Sequence, residues 1–265
     1  MKTIAFLGCG TLASIIAEGI KNDLSGHYSI TAVCDIREEA AKKLAAECGC
    51  QPFTDIEEML KTGPDMVVEA AAGSVLKENA AAILKSGADL VPLSVGAFAD
   101  PGFYGELSSL AEENGRTVHV PSGAIGGFDL MGAGMAAGCL SASVVTEKPP
   151  KALMNSPWFK GSPDDTEERE VFSGTASEAI EKFPKNVNVA VALGIATVGP
   201  DQARVSIRSV PGLPRNRHTI TLDGNFGHAA VTIEAAPSSN PSSSSLAAFS
   251  VLALLKKLAS PIQIG

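Results

Sequence analysis

Thr3-Ile4-Ala5-Phe6-Leu7-Gly8-Cys9-Gly10-Thr11-Leu12-Ala13 is an apolar run that breaks on Gly-x-Gly-x-x-Ala and resumes with helical spacing. The run is short enough for a buried strand, and the glycines mark a tight turn into a helix. Gly8 permits the turn, Gly10 lets the backbone approach a ligand, and the small Ala13 lets the helix pack closely on the strand. The first N–H groups of that helix, from Thr11 and Leu12 onward, face whatever anion lies at the turn. The stretch therefore reads as a cradle for the pyrophosphate of a dinucleotide.

Moving outward, Ser29–Cys34 reads as a second strand and ends on Asp35, where a carboxylate meets the adenosine ribose. Asp35 favours NAD, because it repels a 2′-phosphate; Arg37 partly offsets that repulsion, so NADP stays possible. Strands are expected at 3–7, 29–34, 65–69, 89–95 and 117–120, and helices near 12–21, 38–47, 55–60, 75–86 and 103–114. This rhythm predicts an N-terminal Rossmann domain over residues 1–121, with a doubly wound parallel sheet. Cofactor sites in such sheets lie at the carboxyl ends of the strands. Ala71 and Ala72 after the third strand, Ser94 after the fourth and Ala124 after the last are the expected lining.

After Pro121 the pattern changes. A helix rich in Gly and Ala runs through Cys139, followed by alternating strands at 142–146, 203–209, 217–222 and 228–235. Helices are expected at 175–181 and 187–197, with a charged surface stretch at 164–170. Residues 122–237 thus read as an α+β substrate, catalytic and dimerisation domain with a mixed or antiparallel sheet. One broad sheet face is expected to pair two copies in a homodimer. Residues 238–265 carry SSNPSSSS and then an apolar helix, 245–258, expected to pack back on the first domain.

A net charge of -8 with no basic stretch argues against a nucleic-acid binder. No apolar run reaches the ~20 residues that span a bilayer, and the chain opens directly on a core strand. A cytoplasmic protein without a leader is the expectation. Five cysteines form an odd set without metal-ligand spacing, so reduced thiols and no metal are expected.

Four histidines are candidates for proton transfer: His27 in a surface loop, His119 within a strand, His228 at a strand start, and His218 between basic neighbours. His218 is the preferred one, since imidazole titrates near neutrality, although it shares a face with Ile220 and Leu222 as a structural residue would. Asn186 suits a helix N-cap, leaving the Asn188 amide for a cofactor or substrate carboxamide contact.

Taken in order, Gly8-Cys9-Gly10, Ser94–Ala97, Pro121–Ile125, Phe183–Ala190, Asn216-x-His218 and Pro237-Ser238-x-Asn240-Pro241 resemble the L-aspartate dehydrogenases, from residue 4 to about 258. The resemblance implies NAD(P)-dependent oxidation of L-aspartate to iminoaspartate, which hydrolyses to oxaloacetate and ammonia or feeds NAD synthesis. It implies that His218 is the catalytic histidine, that Ala124 and Asn188 contact the cofactor, and that Asn188, His218, Asn240 and Ser243 meet the substrate. Two positions depart from the family's usual basic residues, Glu147 before Lys148 and Ser242 after Pro241. A dicarboxylate needs cations, which leaves Lys148, Lys185, Arg215 and Arg217 to supply them. A related two-domain dehydrogenase or imine reductase for another small acid, or a non-catalytic NAD-sensing module, are the alternatives.

Overall fold

In the computed structural model, which describes residues 1–154, 156–183, 187–236 and 244–263, the opening run forms β1 (Lys2–Leu7) and α1 (Thr11–Asp23). β2 (Tyr28–Cys34), α2 (Glu38–Cys48), β3 (Gln51–Phe53), α3 (Ile56–Leu60), β4 (Met66–Glu69), α4 (Gly73–Lys85), β5 (Asp89–Pro92) and α5 (Pro101–Glu113) follow. The strands form one parallel sheet in the order β3-β2-β1-β4-β5. Ile4, Phe6, Val67 and Val68 are fully buried, because helices cover both faces of such a sheet. Local chemistry fixes the helix starts: Asp55 and Asp100 cap α3 and α5 with their carboxylates.

The chain forms two compact units, Met1–Pro121 together with Ala247–Gly265, and Ser122–Leu246. The C-terminal helix α10 belongs to the first. It spans Ser245–Ala259 and seats Ala248, Val251 and Leu255, all at 0% exposure, against Ile16, Ile20 and Leu24. Burial of side chains such as Val251 and Leu255 stabilises by about 1.5–3 kcal/mol each. The Tyr28 hydroxyl donates to the Leu255 carbonyl at 2.9 Å, which ties α10 to β2.

In the second unit, α6 (Phe128–Ala136) precedes β6 (Cys139–Lys148), α7 (Pro150–Leu153), β7 (Arg169–Thr175), α8 (Ala176–Lys182) and α9 (Asn188–Ala196). β8 (Arg204–Ser209), β9 (Asn216–Gly224) and β10 (Gly227–Ala235) complete a mixed sheet in the order β10-β9-β6-β8-β7. β6 and β8 are parallel and the remaining pairs antiparallel. α9 buries nearly every side chain from Val189 to Gly194, as its unbroken apolar sequence requires.

Several expectations need correction, among them the helix expected to run through Cys139, which ends at Ala136 while Cys139 opens β6. The strand expected at 89–95 stops at Pro92, and Val95–Ala99 forms a 3₁₀ turn. The strand expected at 117–120 is a single bridge, Leu90 to Val118, so His119 lies outside any strand. The charged stretch at 164–170 runs into β7, whose outer residues are exposed; β3 and α7 also form where no element is expected.

Candidate active site

The glycine turn has the geometry its sequence implies. Gly8 has φ +96°, and a Cβ there would sit 2.7 Å from the Ala70 carbonyl oxygen. A side chain at Gly10 would meet nothing within 4 Å, so open space lies where a phosphate would approach. Gly10 is the N-cap of α1 and makes no side-chain capping bond, which leaves the first N–H groups of the helix for an anion. A cleft of 490 Å³ opens there, lined among others by Gly8, Gly10, Asp35, Arg37 and Ala71. These residues fit a dinucleotide.

Asp35 is 8% exposed and caps the cleft. Its Oδ2 accepts the Cys9 N–H at 2.9 Å and Oδ1 accepts the Arg37 N–H at 2.9 Å. The Arg37 guanidinium clasps both oxygens, at 3.1 and 3.0 Å. Burial pushes the Asp35 pKa up, but these bonds outweigh it and hold the carboxyl below its ordinary range. The acid is therefore ionised and partly neutralised by the residue expected to temper its preference.

Glu69, at the end of β4, is fully buried. Its Oε1 accepts the Ala71 N–H at 2.8 Å and the Ser94 hydroxyl at 2.7 Å, and Oε2 accepts the Ser94 N–H at 3.0 Å. One carboxylate thus ties together the loops after β4 and β5. Burial raises its pKa, and the Ser94 and Ala71 donors pull it back. Ser94, expected to line the site, spends its hydroxyl on this acid; Ala72 is the N-cap of α4.

His218 lies on β9, 4% exposed. Its Nδ1 is 3.0 Å from Thr146 Oγ1 on the facing strand. Burial, with the Lys148 charge nearby, lowers the imidazole pKa to about 3, so the ring is neutral near pH 7. Lys148, 4% exposed, has its own pKa pushed down to about 8 by burial. Strand alternation puts Thr146, Lys148 and His218 on one face. Glu147 and Arg217 occupy the other, where the guanidinium is 3.3 Å from Glu147 and 2.9 Å from Glu234. Of the four candidate cations, Arg217 is thus occupied away from His218, and Lys185 lies outside the described residues.

Ala124 sits half-buried in a turn behind Gly123, and Asn188 is the exposed first residue of α9, with Val187 as its N-cap. Asn186, Asn240 and Ser243 lie outside the described residues. His27 is in an exposed turn, and His228 pairs with Asp223 at 2.7 Å on the surface. Cys9 and Cys34 are buried free thiols, raised by burial to about 12 and 11, and no group able to hold a metal occurs among the described residues. No helix among those residues is long and apolar enough to cross a membrane. Thr146 and the Glu69 carboxylate escape the sequence reading. Alternation along β6 carries a signal for the first, because it pairs Thr146 with Lys148.

Comparison with known proteins bears on this arrangement. Residues 129–258 match the model of the aspartate dehydrogenase C-terminal region, and residues 8–121 that of the homoserine dehydrogenase NAD-binding domain. The L-aspartate dehydrogenase of Methanosarcina acetivorans is 38% identical over 274 residues, with all of both chains covered. The chain belongs to the L-aspartate dehydrogenase family. The Methanococcus maripaludis (strain C7) enzyme is 35% identical, again across both whole chains. The crystal structure of aspartate dehydrogenase from Thermotoga maritima superposes with a TM-score of 0.80 at 27% identity and full coverage of both chains. Within this L-aspartate dehydrogenase family member, the unusual Glu147 sits on the face away from His218 and pairs there with Arg217.

Proposed function

We propose that the protein oxidises L-aspartate to iminoaspartate with NAD or NADP as hydride acceptor, and that water then releases oxaloacetate and ammonia. The observation that carries this reading is a buried, neutral imidazole, His218, fixed by Thr146 on the same sheet face as Lys148. The bound cofactor supplies the acceptor for the hydride leaving Cα. An amine arrives largely as ammonium and must lose a proton before its nitrogen lone pair can form the imine. With Nδ1–H donating to Thr146, the lone pair on His218 Nε2 takes that proton.

The cradle formed by Gly8, Gly10, Thr11, Leu12, Asp35, Ala71 and Ala72 holds the dinucleotide in this reading, with Ala124 and Asn188 as further contacts. Asn188, Asn240 and Ser243 meet the substrate. The iminoaspartate serves NAD synthesis, and the protein works as a cytoplasmic homodimer. The sheet face opposite His218, with Ser143, Val145, Thr219 and Thr221 half-exposed, is the surface for that pairing. Sedimentation at micromolar concentration tests it, with a monomer as the contrary outcome.

The activity test follows reduced nicotinamide formation with L-aspartate, D-aspartate, L-glutamate and L-homoserine, and its consumption with oxaloacetate plus ammonia. L-Aspartate is expected to give the highest kcat/KM. A higher value for any other acid, or cofactor binding without turnover, contradicts the proposal.

A further inference from the structure

Cys48-Gly49-Cys50 lies where α2 ends and β3 begins, and the proposed oxidation makes no use of it. Gly49 is left-handed, with φ +70° and ψ +36°, and its N–H and that of Cys50 both bond the Ala45 carbonyl. This cap folds the chain back on the helix, so both cysteines pack against the core that holds Cys9, Ala17 and Leu44. A left-handed residue mirrors a helical one, for which Cα atoms two apart are about 5.4 Å from each other. That separation lies inside the roughly 4.4–6.8 Å that a disulfide spans. The two thiols are free, half-buried and within hydrogen-bonding reach of one another.

Two further observations single out Cys48. A cleft of 490 Å³ between α1 and α2 reaches it, lined among others by Ser14, Lys21, Asn22 and Glu47. Lys21 of α1 crosses this cleft to donate to the carbonyl of Glu47, the residue before Cys48, and so holds an ammonium beside the thiol. The hydrogen bond from Cys50 and the Lys21 charge keep the Cys48 pKa below its ordinary value, against burial and the Glu47 carboxylate. The same bond and burial push Cys50 up. Cys48 is thus the thiol of the pair that ionises, and the thiolate is the reactive form.

We propose that Cys48 and Cys50 form a reversible redox site, closed to a disulfide by a peroxide and reopened by a dithiol, and that closing it weakens cofactor binding. The Cys48 thiolate attacks one oxygen of hydrogen peroxide, the O–O bond breaks, and the hydroxide released takes up the proton that Cys48 gave to solvent. The product is a Cys48 sulfenic acid. The Cys50 sulfur then attacks the Cys48 sulfur, the S–O bond breaks, and hydroxide leaves with the Cys50 proton as water. Two thiols have lost two electrons and two protons, and one peroxide has become two waters. The coupling runs through β3. Cys50 leads directly into that strand, where Phe53 accepts the Asp35 N–H at 3.2 Å and pairs with Cys34. A bond that draws Cys50 toward Cys48 pulls on the strand that seats Asp35 at the cofactor cleft. Nothing in this proposal depends on which acid the enzyme oxidises.

The test treats the full chain with hydrogen peroxide, removes the excess with catalase, and alkylates the denatured protein with N-ethylmaleimide. Both cysteines fall in one tryptic peptide, residues 44–61. That peptide is expected to take up no label, to weigh two hydrogens less than its dithiol form, and to take up two labels after dithiothreitol. Calorimetry, with whichever of NAD and NADP binds the reduced protein more tightly, is expected to show Kd raised at least ~5-fold by peroxide and restored by dithiothreitol. Cys48→Ser is expected to make Kd insensitive to peroxide. Cys50→Ser is expected to stop at a Cys48 sulfenic acid that dimedone labels, and it decides the chemistry alone should Cys48→Ser not fold. Peroxide that spares this peptide, or that oxidises Cys9, Cys34 or Cys139 first, overturns the redox site. A disulfide that leaves Kd within about twofold, or a loss of affinity that persists in Cys48→Ser, overturns the coupling.

Discussion

Replacing Glu69 by alanine tests whether one buried carboxylate holds the loops after β4 and β5 in place. The substitution deletes the acceptor of three bonds, from Ala71 N–H, Ser94 N–H and the Ser94 hydroxyl, at 2.8, 3.0 and 2.7 Å. The hydroxyl can rotate to another acceptor, but the two amides cannot move without moving the loops. Leaving two amides unsatisfied costs about 1–3 kcal/mol each, so the expected loss is about 2–6 kcal/mol. Glu69→Gln keeps one oxygen and turns an NH2 group toward an amide donor; removal of a buried charge offsets part of that, and its loss is expected to be smaller. Urea unfolding gives the stabilities, and calorimetry gives the NAD affinity, which is expected to weaken along with loop order. The pH dependence has a definite sign. Burial raises the Glu69 pKa above the ordinary 4.5, so its contribution is fully present below about that pH and declines as pH rises. Wild type is therefore expected to lose stability relative to Glu69→Gln as pH climbs above 4.5. A Glu69→Ala loss under about 0.5 kcal/mol with unchanged NAD affinity refutes the reasoning, because that is the range of an ordinary surface change.

Other residues give sharp expectations. Asp35→Ser removes the acid opposing a 2′-phosphate and frees Arg37, so the ratio of NADP to NAD affinity should rise; Arg37→Ala should lower it, and calorimetry with both cofactors checks the pair. His218, lowered from 6.5 to about 3 by burial, stays neutral in the fold while the unfolded chain takes a proton. Stability should thus fall by roughly 1.4 kcal/mol per pH unit from this group alone as pH drops below 6.5, and His218→Gln should remove that slope in acid-unfolding series. Leu255→Ala, at a fully buried position on α10, should cost about 2–5 kcal/mol by urea unfolding. A near-neutral result there would mean that α10 does not belong to the first core.

Much of the fold was legible because its signals are local. The run from Thr3 to Leu7, the Gly8 and Gly10 turn and the acid at Asp35 each state their geometry within a few residues. The end of β5 was not, because Leu93–Val95 is apolar enough to continue a strand; what stops it is long-range, the capture of Ser94 by Glu69. β7 hides in charged sequence because its ordering comes from pairing with β8, with Arg208 on Glu168 and Ser206 on Glu170. At the candidate site, His218 was legible by type and by the segment around it. Its partners depend on strand register: that Thr146 faces it, that Lys148 joins Ser209, and that Glu147 turns away are facts of pairing. A list of nearby cations in the sequence does not separate Lys148 from Arg217; two residues of alternation do.

His218 is the residue proposed to manage the proton in L-aspartate oxidation. Its most direct test is kcat for His218→Ala at saturating L-aspartate and NAD, with NAD affinity measured on the same protein. A fall of ~10²–10⁴-fold in kcat is expected, with NAD affinity essentially unchanged. Turnover within a few-fold of wild type contradicts it.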